Sequence, residues 1–562
     1  MREQKLLVMN VWDKTMGKVL PIRIVLFVFF IASGLYSQNI IERPYDWSGQ
    51  YGSSIVNGRL FWNSDWTSGP LLFDGSYTFY SQRYGDQIIS RFALLTSNQI
   101  PKFTYQTQDT SLIKSALDYK IGDYNYDQLA INIGFNKPNR YVKLHGFKRS
   151  YAGREGQFFH PDGMTVPMQQ TYILEYGSEY NGWSLDAAAA RLVTESGLPD
   201  TSFSKGLFED EILTAGILTK SPGDNIQLTS HLALFQQWRR VEASWYPNWK
   251  SQYINRSRWQ NQLNGFEIEG FEISFGLDLN TQSVTMVDTV YRQTNWATSF
   301  TKLKWSELSV TYGGSFFDKG GTSRYIAAEY LKSWKYLSIN AKYSDQFKPT
   351  HFSIWEANHR NNLEKVILAD FSAMADFKYG KTGLHYYQGA SFINNLKKGD
   401  YSTIEFVGQF NLLKYMSFKG SYSIQNGNYY LSDGIGNRLF FQLNFEKERF
   451  FNRFDLSAKL FGEGLLNRKG PDLLSPLDGV PMEPSTASVN LTDIWLLHFD
   501  VSATISSMTI TWSVRNILQA IEPNALKMFP DKEVGDFLVQ YNSTYPPMGR
   551  LIMFSIFWTF KD

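Results

Sequence analysis

Large apolar residues fall on alternate positions along most of this chain, a period of two that marks half-buried β-strands rather than helices. Phe271, Ile273, Phe275, Leu277 and Leu279 share one face, while Glu272, Ser274, Gly276, Asp278 and Asn280 share the other. The same division separates Leu439, Phe441, Leu443 and Phe445 from Arg438, Gln442, Asn444 and Glu446. Phe454, Leu456, Ala458 and Leu460 oppose Arg453, Asp455, Ser457 and Lys459; Leu497, Phe499, Val501, Ala503 and Ile505 oppose Asp500, Ser502 and Thr504. At the C terminus Ile552, Phe554, Ile556, Trp558 and Phe560 carry the alternation almost to the last residue. In a soluble domain such a terminal strand invites edge-to-edge aggregation. A closed barrel in a bilayer gives it a neighbour on each side and lipid on one face. Strands of about 10–13 residues exceed the usual length and suffice for a tilted strand to cross a bilayer.

The connections between these strands sort by length. Long stretches at 151–167, 195–207, 241–255, 346–362, 394–400, 427–435, 466–487 and 519–549 alternate with short ones. The short ones are Lys137-Pro138, Asn181-Gly182, 221–225, Glu269-Gly270, Ser333-Trp334, 380–382, 413–415, 448–452 and Ser506-Ser507. Short periplasmic turns on one rim and longer external loops on the other are the mark of an up-and-down membrane barrel. The pattern predicts an all-β fold, a large antiparallel transmembrane β-barrel spanning 111–562, with about 22 strands (roughly 18–24) and its C terminus on the periplasmic side. Residues 39–110 read either as further strands, near 71–83 and 87–95, or as a small insert inside the barrel.

Ahead of these, Lys14, Lys18 and Arg23 precede an apolar run at 24–35, and small Ser37 precedes Gln38. The run is too short for a transmembrane helix and reads as the core of a signal peptide over 1–38, with Met16 as a second possible start.

Composition narrows the function classes. With 55 basic and 53 acidic residues the net charge is +2, which gives no footprint for nucleic acid. The absence of Cys excludes disulfides, thiolate metal sites and Cys nucleophiles, and suits export to an oxidising compartment. Tyr180, Trp183, Trp334, Tyr336 and Trp558 stand at strand ends, where interfacial aromatic girdles belong.

Motifs for chemistry are weak. Residues 375–382, ADFKYGKT, fit a relaxed phosphate-loop pattern, but bulky alternating residues fill it and a hairpin is expected there. The seven His are scattered, the nearest pair being His351 and His359 in an external loop, and HExxH and GxSxG patterns are absent. No enzyme activity, cofactor or metal is expected. The candidate functional residues are instead the charges on the interior face: Glu272, Asp278, Arg438, Glu446, Arg453, Asp455, Lys459, Glu463 and Arg515, with Lys143, His145 and Arg149 sharing another such face. They either set a field that filters solutes by charge or pair across strands for structure.

The segment 491–518, the loop after it and the ending YPPMGRLIMFSIFWTFKD resemble the C-terminal end of the barrel of TonB-dependent receptors. There the penultimate strand often closes on an Asn-Leu pair, here Asn516-Ile517-Leu518. The last strand often opens on a Tyr-Pro…Gly-Arg turn, here Tyr545, Pro546, Gly549 and Arg550. The signal peptide ending in Gln and the short chain also resemble the porins of Bacteroidota. The resemblance implies the outer membrane, lipid contacts, and recognition of the last strand by the barrel-assembly machinery. The chain departs from the receptors in one respect: residues 39–110 are far shorter than their plug domain and carry no plug-like motif.

The expected function is an outer-membrane channel for small solutes. Alternatives are a receptor-like uptake barrel with a reduced or separate plug, and a scaffold for secretion or surface assembly. A barrel of this width is generally plugged rather than empty. The occluding element is expected to be residues 39–110, an infolded loop such as 151–167 or 466–487, or a plug or periplasmic partner protein.

Overall fold

The computed structural model describes residues 40–44, 47, 52–56, 59–62, 78–79 and 88–89. From 113 to 561 it describes all but 154–157, 160–167, 200–205, 224–225, 244–245, 287–289, 319–320, 350–362, 394–395, 428–435, 452, 471–488, 529 and 542–546. The signal-peptide region and the pair His351 and His359 lie outside the described residues.

Twenty-two antiparallel strands close into a barrel. In chain order they are β1 Ile113–Gly122, β2 Tyr126–Lys137, β3 Arg140–Ser150, β4 Met168–Tyr180, β5 Trp183–Pro199, β6 Gly206–Lys220, β7 Gln227–Ala243 and β8 Tyr246–Ile268. There follow β9 Phe271–Met286, β10 Val290–Trp305, β11 Leu308–Phe317, β12 Gly321–Ser333, β13 Leu337–Pro349, β14 Leu363–Phe377 and β15 Gly380–Ile393. The last are β16 Leu396–Leu413, β17 Met416–Gly427, β18 Asn437–Phe450, β19 Phe454–Leu466, β20 Ile494–Ile505, β21 Met508–Arg515 and β22 Leu551–Lys561. Each strand pairs with its chain neighbours, and β22 pairs with β1 from Met553 opposite Gly122 to Lys561 opposite Lys114. The terminal strand therefore has a partner on both sides, which removes the edge that its apolar pattern would otherwise expose.

Register assigns the faces. Directly opposed residues of an antiparallel pair point the same way, so one parity can be followed around the barrel. Its outward set is large and apolar: Ile131, Leu144, Leu174, Leu232, Phe275, Leu303, Phe371, Phe406, Trp512 and Phe554 are all exposed. Lipid covers such a belt, and the barrel is an outer-membrane protein. Tyr180, Trp183, Trp334, Tyr336 and Trp558 are exposed at the short-turn rim, as interfacial aromatics should be.

The short turns follow from their residues. Asn181-Gly182 and Glu269-Gly270 have positive φ at both positions, the two-residue geometry whose twist matches that of the flanking strands. The 375–382 motif is a hairpin, with its turn at Lys378-Tyr379 and Gly380 already paired to Phe377. Two expected long loops are absent. Only residues 244–245 separate β7 from β8, and only 394–395 separate β15 from β16. These strands extend further outward than their alternation indicated.

Before the barrel, Ile40–Pro44, Gly52–Val56 and Arg59–Trp62 form a three-stranded antiparallel sheet, and Thr78–Phe79 pairs with Ile88–Ile89. Among the described residues these strands pair only with one another.

Candidate functional site: the interior wall and its two mouths

The interior face divides into two unlike halves. Along β3–β9 its side chains are buried although most are polar: Arg149, Gln169, Asp210, Arg239, Arg258 and Asp278 are each at most 3% exposed. Burial on this scale requires pairing. Arg258 makes a two-pronged contact with Asp278, Nε to Oδ1 at 2.8 Å and an Nη to Oδ2 at 2.5 Å. Asp210 accepts from Gln237 at 2.8 Å and lies 3.7 Å from Arg239. Arg149 donates to Gln169 at 2.7 Å.

Along β13–β21 the same face is more open, although Tyr387, Thr403, Glu405 and Val407 on β15 and β16 are buried. Many of its side chains are half-exposed, Asn340, Ser344, Ser372, Ser421, Asn444 and Ser502 among them. Neighbouring strands share hydrogen bonds there: Thr504 with Thr509 at 2.9 Å, Ser502 with Thr511 at 2.8 Å, and Asn444 to Ser417 at 3.2 Å. Acids and bases also pair. Arg438 donates to Glu463 at 2.7 Å, Arg515 to Asp500 at 2.5 Å, and Lys342 lies 3.0 Å from Glu329.

The charges expected to line the interior occupy three settings. Asp278, Arg438, Glu463 and Arg515 are paired within the wall, as above. Glu272 pairs with Lys304 at 2.6 Å near the short-turn rim, where both are half-exposed. Glu446, Asp455 and Lys459 are exposed on the interior parity. Lys459 stands directly opposite Asp500, and Asp455 accepts the Arg449 backbone N–H at 2.8 Å. Arg453 departs from the strand reading: it sits in the turn before β19, exposed at the rim. Two cavities open at this rim. One of about 990 Å³ touches Asn444, Glu446, Glu448 and Arg449; the other, of about 380 Å³, touches Arg449, Arg453, Asp455 and Thr504. Of the second group, Lys143 lies 3.7 Å from Glu175 and His145 shares a 2.7 Å hydrogen bond with Asn132.

At the opposite mouth the connection 516–550 folds inward. Val539, Tyr541 and Met548 pack with Tyr126, Leu465, Ile494, Leu496 and Leu551 from the strand ends in one buried apolar cluster. Asn516 anchors the connection: fully buried, it donates from Nδ2 to the Phe537 carbonyl at 2.8 Å and caps the helix Ile517–Ala520. Arg468 donates to the carbonyls of Thr492 at 2.9 Å and Tyr541 at 2.5 Å. Trp47, from the N-terminal segment, reaches the same cluster. Its indole N–H donates to the Gly549 carbonyl at 3.0 Å, and its ring meets that of His498 edge-on at 6.2 Å.

Asp500, Arg258, Asp210, Arg468 and Trp47 were not among the sequence candidates. Parity would have found Asp500 and Arg258, but the contacts of Arg468 and Trp47 have no local signal. Among the described residues no group of three His or acidic side chains is placed to hold a metal.

No family model and no curated protein matches this chain. Solved structures do. The FrpB iron transporter of Neisseria meningitidis, F5-1 variant in its apoprotein form, superposes with a TM-score of 0.65 at 9% identity, covering 93% of this chain and 95% of that one. FpvA of Pseudomonas aeruginosa, bound to a heterologous pyoverdine and iron, gives 0.61 at 12% identity, with 93% and 83% covered. BauA, the ferric preacinetobactin receptor of Acinetobacter baumannii, gives 0.59 at 10%, with 94% and 92% covered. At these identities the likeness is one of fold: this chain shares the large closed barrel of outer-membrane TonB-dependent receptors.

Proposed function

We propose that this protein is an outer-membrane channel for small polar solutes, narrowed by its own inward-folded segments. The observation that carries the reading is the half-exposed polar wall of β13–β21, which runs down to the rim cavities beside Glu446 and Arg453. An interior needed only for structure would be as dry as the β3–β9 half. The 516–550 connection and Trp47 supply the narrowing that a barrel of this width calls for.

A receptor-like uptake barrel is the second reading. It is favoured by the neighbours, several of which are named as receptors or transporters of iron compounds, and by the placement of Trp47 against the interior wall. Under either reading the direct partners are outer-membrane lipid and, during assembly, the barrel-assembly machinery acting on β22. The receptor reading adds a plug or periplasmic partner. No catalytic role is proposed.

Single-channel current in planar lipid bilayers separates the two. Steady conductance from the protein alone is expected. A folded barrel that stays silent would overturn the channel and favour the receptor reading.

A further inference from the structure

Resting on the channel reading, we infer that the β13–β21 half of the wall is a route for uncharged, hydroxyl-bearing solutes, the chemical class of saccharides and polyols. Three observations converge on this class.

The first is the kind of group offered. Ser421, Gln442, Asn444, Ser502, Thr504 and Thr511 share the interior parity of adjacent strands and are all half-exposed. Hydroxyls and amides both donate and accept, so they can exchange their mutual bonds for bonds to a solute that also does both. The existing bonds, Ser502 with Thr511 and Gln442 to Asn444 at 2.7 Å, run between side chains that the lumen reaches. A passing hydroxyl meets partners at each level.

The second is the cancelling of charge. Several cations of this half sit beside acids: Arg438 with Glu463, Arg515 with Asp500, and Lys381 with Asp376 at 3.0 Å. A charged solute sheds part of its hydration on entering a narrow passage and needs a field of the opposite sign in return. Paired charges supply little net field. An uncharged solute carries no such requirement.

The third is apolar relief among the polar groups. Phe440 and Phe461 face the interior on β18 and β19 and are half-exposed. Phe461 already holds the Arg515 guanidinium 5.2 Å from its ring centre. Such rings give the C–H faces of a sugar an apolar surface between its hydroxyl contacts.

The test uses the full-length protein in proteoliposomes, its folding checked by heat-modifiable migration on a gel. Swelling is followed in arabinose, glucose and sucrose, and in gluconate and glucosamine as anionic and cationic counterparts of glucose. Reversal potentials are read in a KCl gradient. Glucose is expected to enter several-fold faster than either charged counterpart, with a reversal potential near zero. Glu463→Gln, which leaves Arg438 without that acid, and Asp500→Asn, which does the same to Arg515, should each move the reversal potential toward anions and speed gluconate. Gluconate or glucosamine outrunning glucose in the native protein would overturn this inference and leave the channel standing. Entry of no solute at all would overturn the channel reading, and this inference with it.

Discussion

Arg258 and Asp278 show what one buried pair does for a wall of this kind. Both side chains are at most 4% exposed and share two hydrogen bonds. Removing one partner takes from the other its buried counter-charge, a loss of about 3–5 kcal/mol for buried pairs. Asp278→Ala should therefore lower the urea midpoint of unfolding clearly, whereas Glu272→Ala at the exposed rim pair should barely move it. Equal effects would contradict the burial assigned to β8 and β9. A second expectation concerns pH. Glu307, in the turn between β10 and β11, is held well below the usual carboxylate range, to about 2, by hydrogen bonds from Lys332 and then Ser306. A depressed folded pKa means that the stabilisation is present above the ordinary carboxylate pKa and is lost as pH falls toward about 2. The stability difference between the native protein and Glu307→Gln should be constant above pH ~4.5, shrink below it, and vanish near pH 2. Because the pair is exposed, the difference should also fall with added salt.

Among the elements, the 516–550 connection departs most from a simple external loop. It is held by three kinds of contact: the Asn516 bonds, the Arg468 bond to Tyr541, and the apolar packing of Val539, Tyr541 and Met548 on the strand ends. Arg468→Ala should loosen it while leaving the barrel intact. The expected signs are faster proteolysis within 516–550 and larger or noisier single-channel current, with unchanged heat-modifiable migration. An equally protected connection would mean that the Asn516 bonds and the apolar packing suffice to hold it. This element also marks where sequence reading stops. Within the membrane each strand has lipid on one face and the lumen on the other, so Phe275 and Leu277 alternate with Ser274 and Asp278, and the strand is legible. Beyond the lipid both faces are polar. Lys250, Ser251, Gln252 and Asn255 in β8 read as loop, and the short connection between β7 and β8 was hidden for that reason. The interior parity of Asp278, Arg438, Glu463 and Arg515 was legible, but their partners depend on register between strands, which periodicity does not contain. The contacts of Arg468 with Tyr541 and of Trp47 with Gly549 join residues far apart in the chain, and local pattern carries no trace of them.

At the scale of the whole molecule the problem is width. Twenty-two strands enclose more space than their own side chains fill. Two parts of the chain meet where that space would open: Trp47 from the N-terminal segment and Gly549 from the connection before β22, joined by one hydrogen bond beside His498. The contact joins residues 502 apart in the chain and so brings its two ends to one mouth. We propose that Trp47 belongs to the narrowing. Two variants then form a graded series. Trp47→Ala removes the indole donor and the ring contact with His498 but leaves the segment in place, so openings should become longer or more frequent at an unchanged main conductance. Deleting 39–110 removes the segment altogether, so the main conductance itself should rise and larger uncharged sugars should pass. Both are read in the same planar bilayers, with heat-modifiable migration confirming closure of the barrel. If the deletion leaves conductance and size limit untouched, the narrowing belongs to the 516–550 connection alone. Trp47 would then be a brace for Gly549 and nothing more.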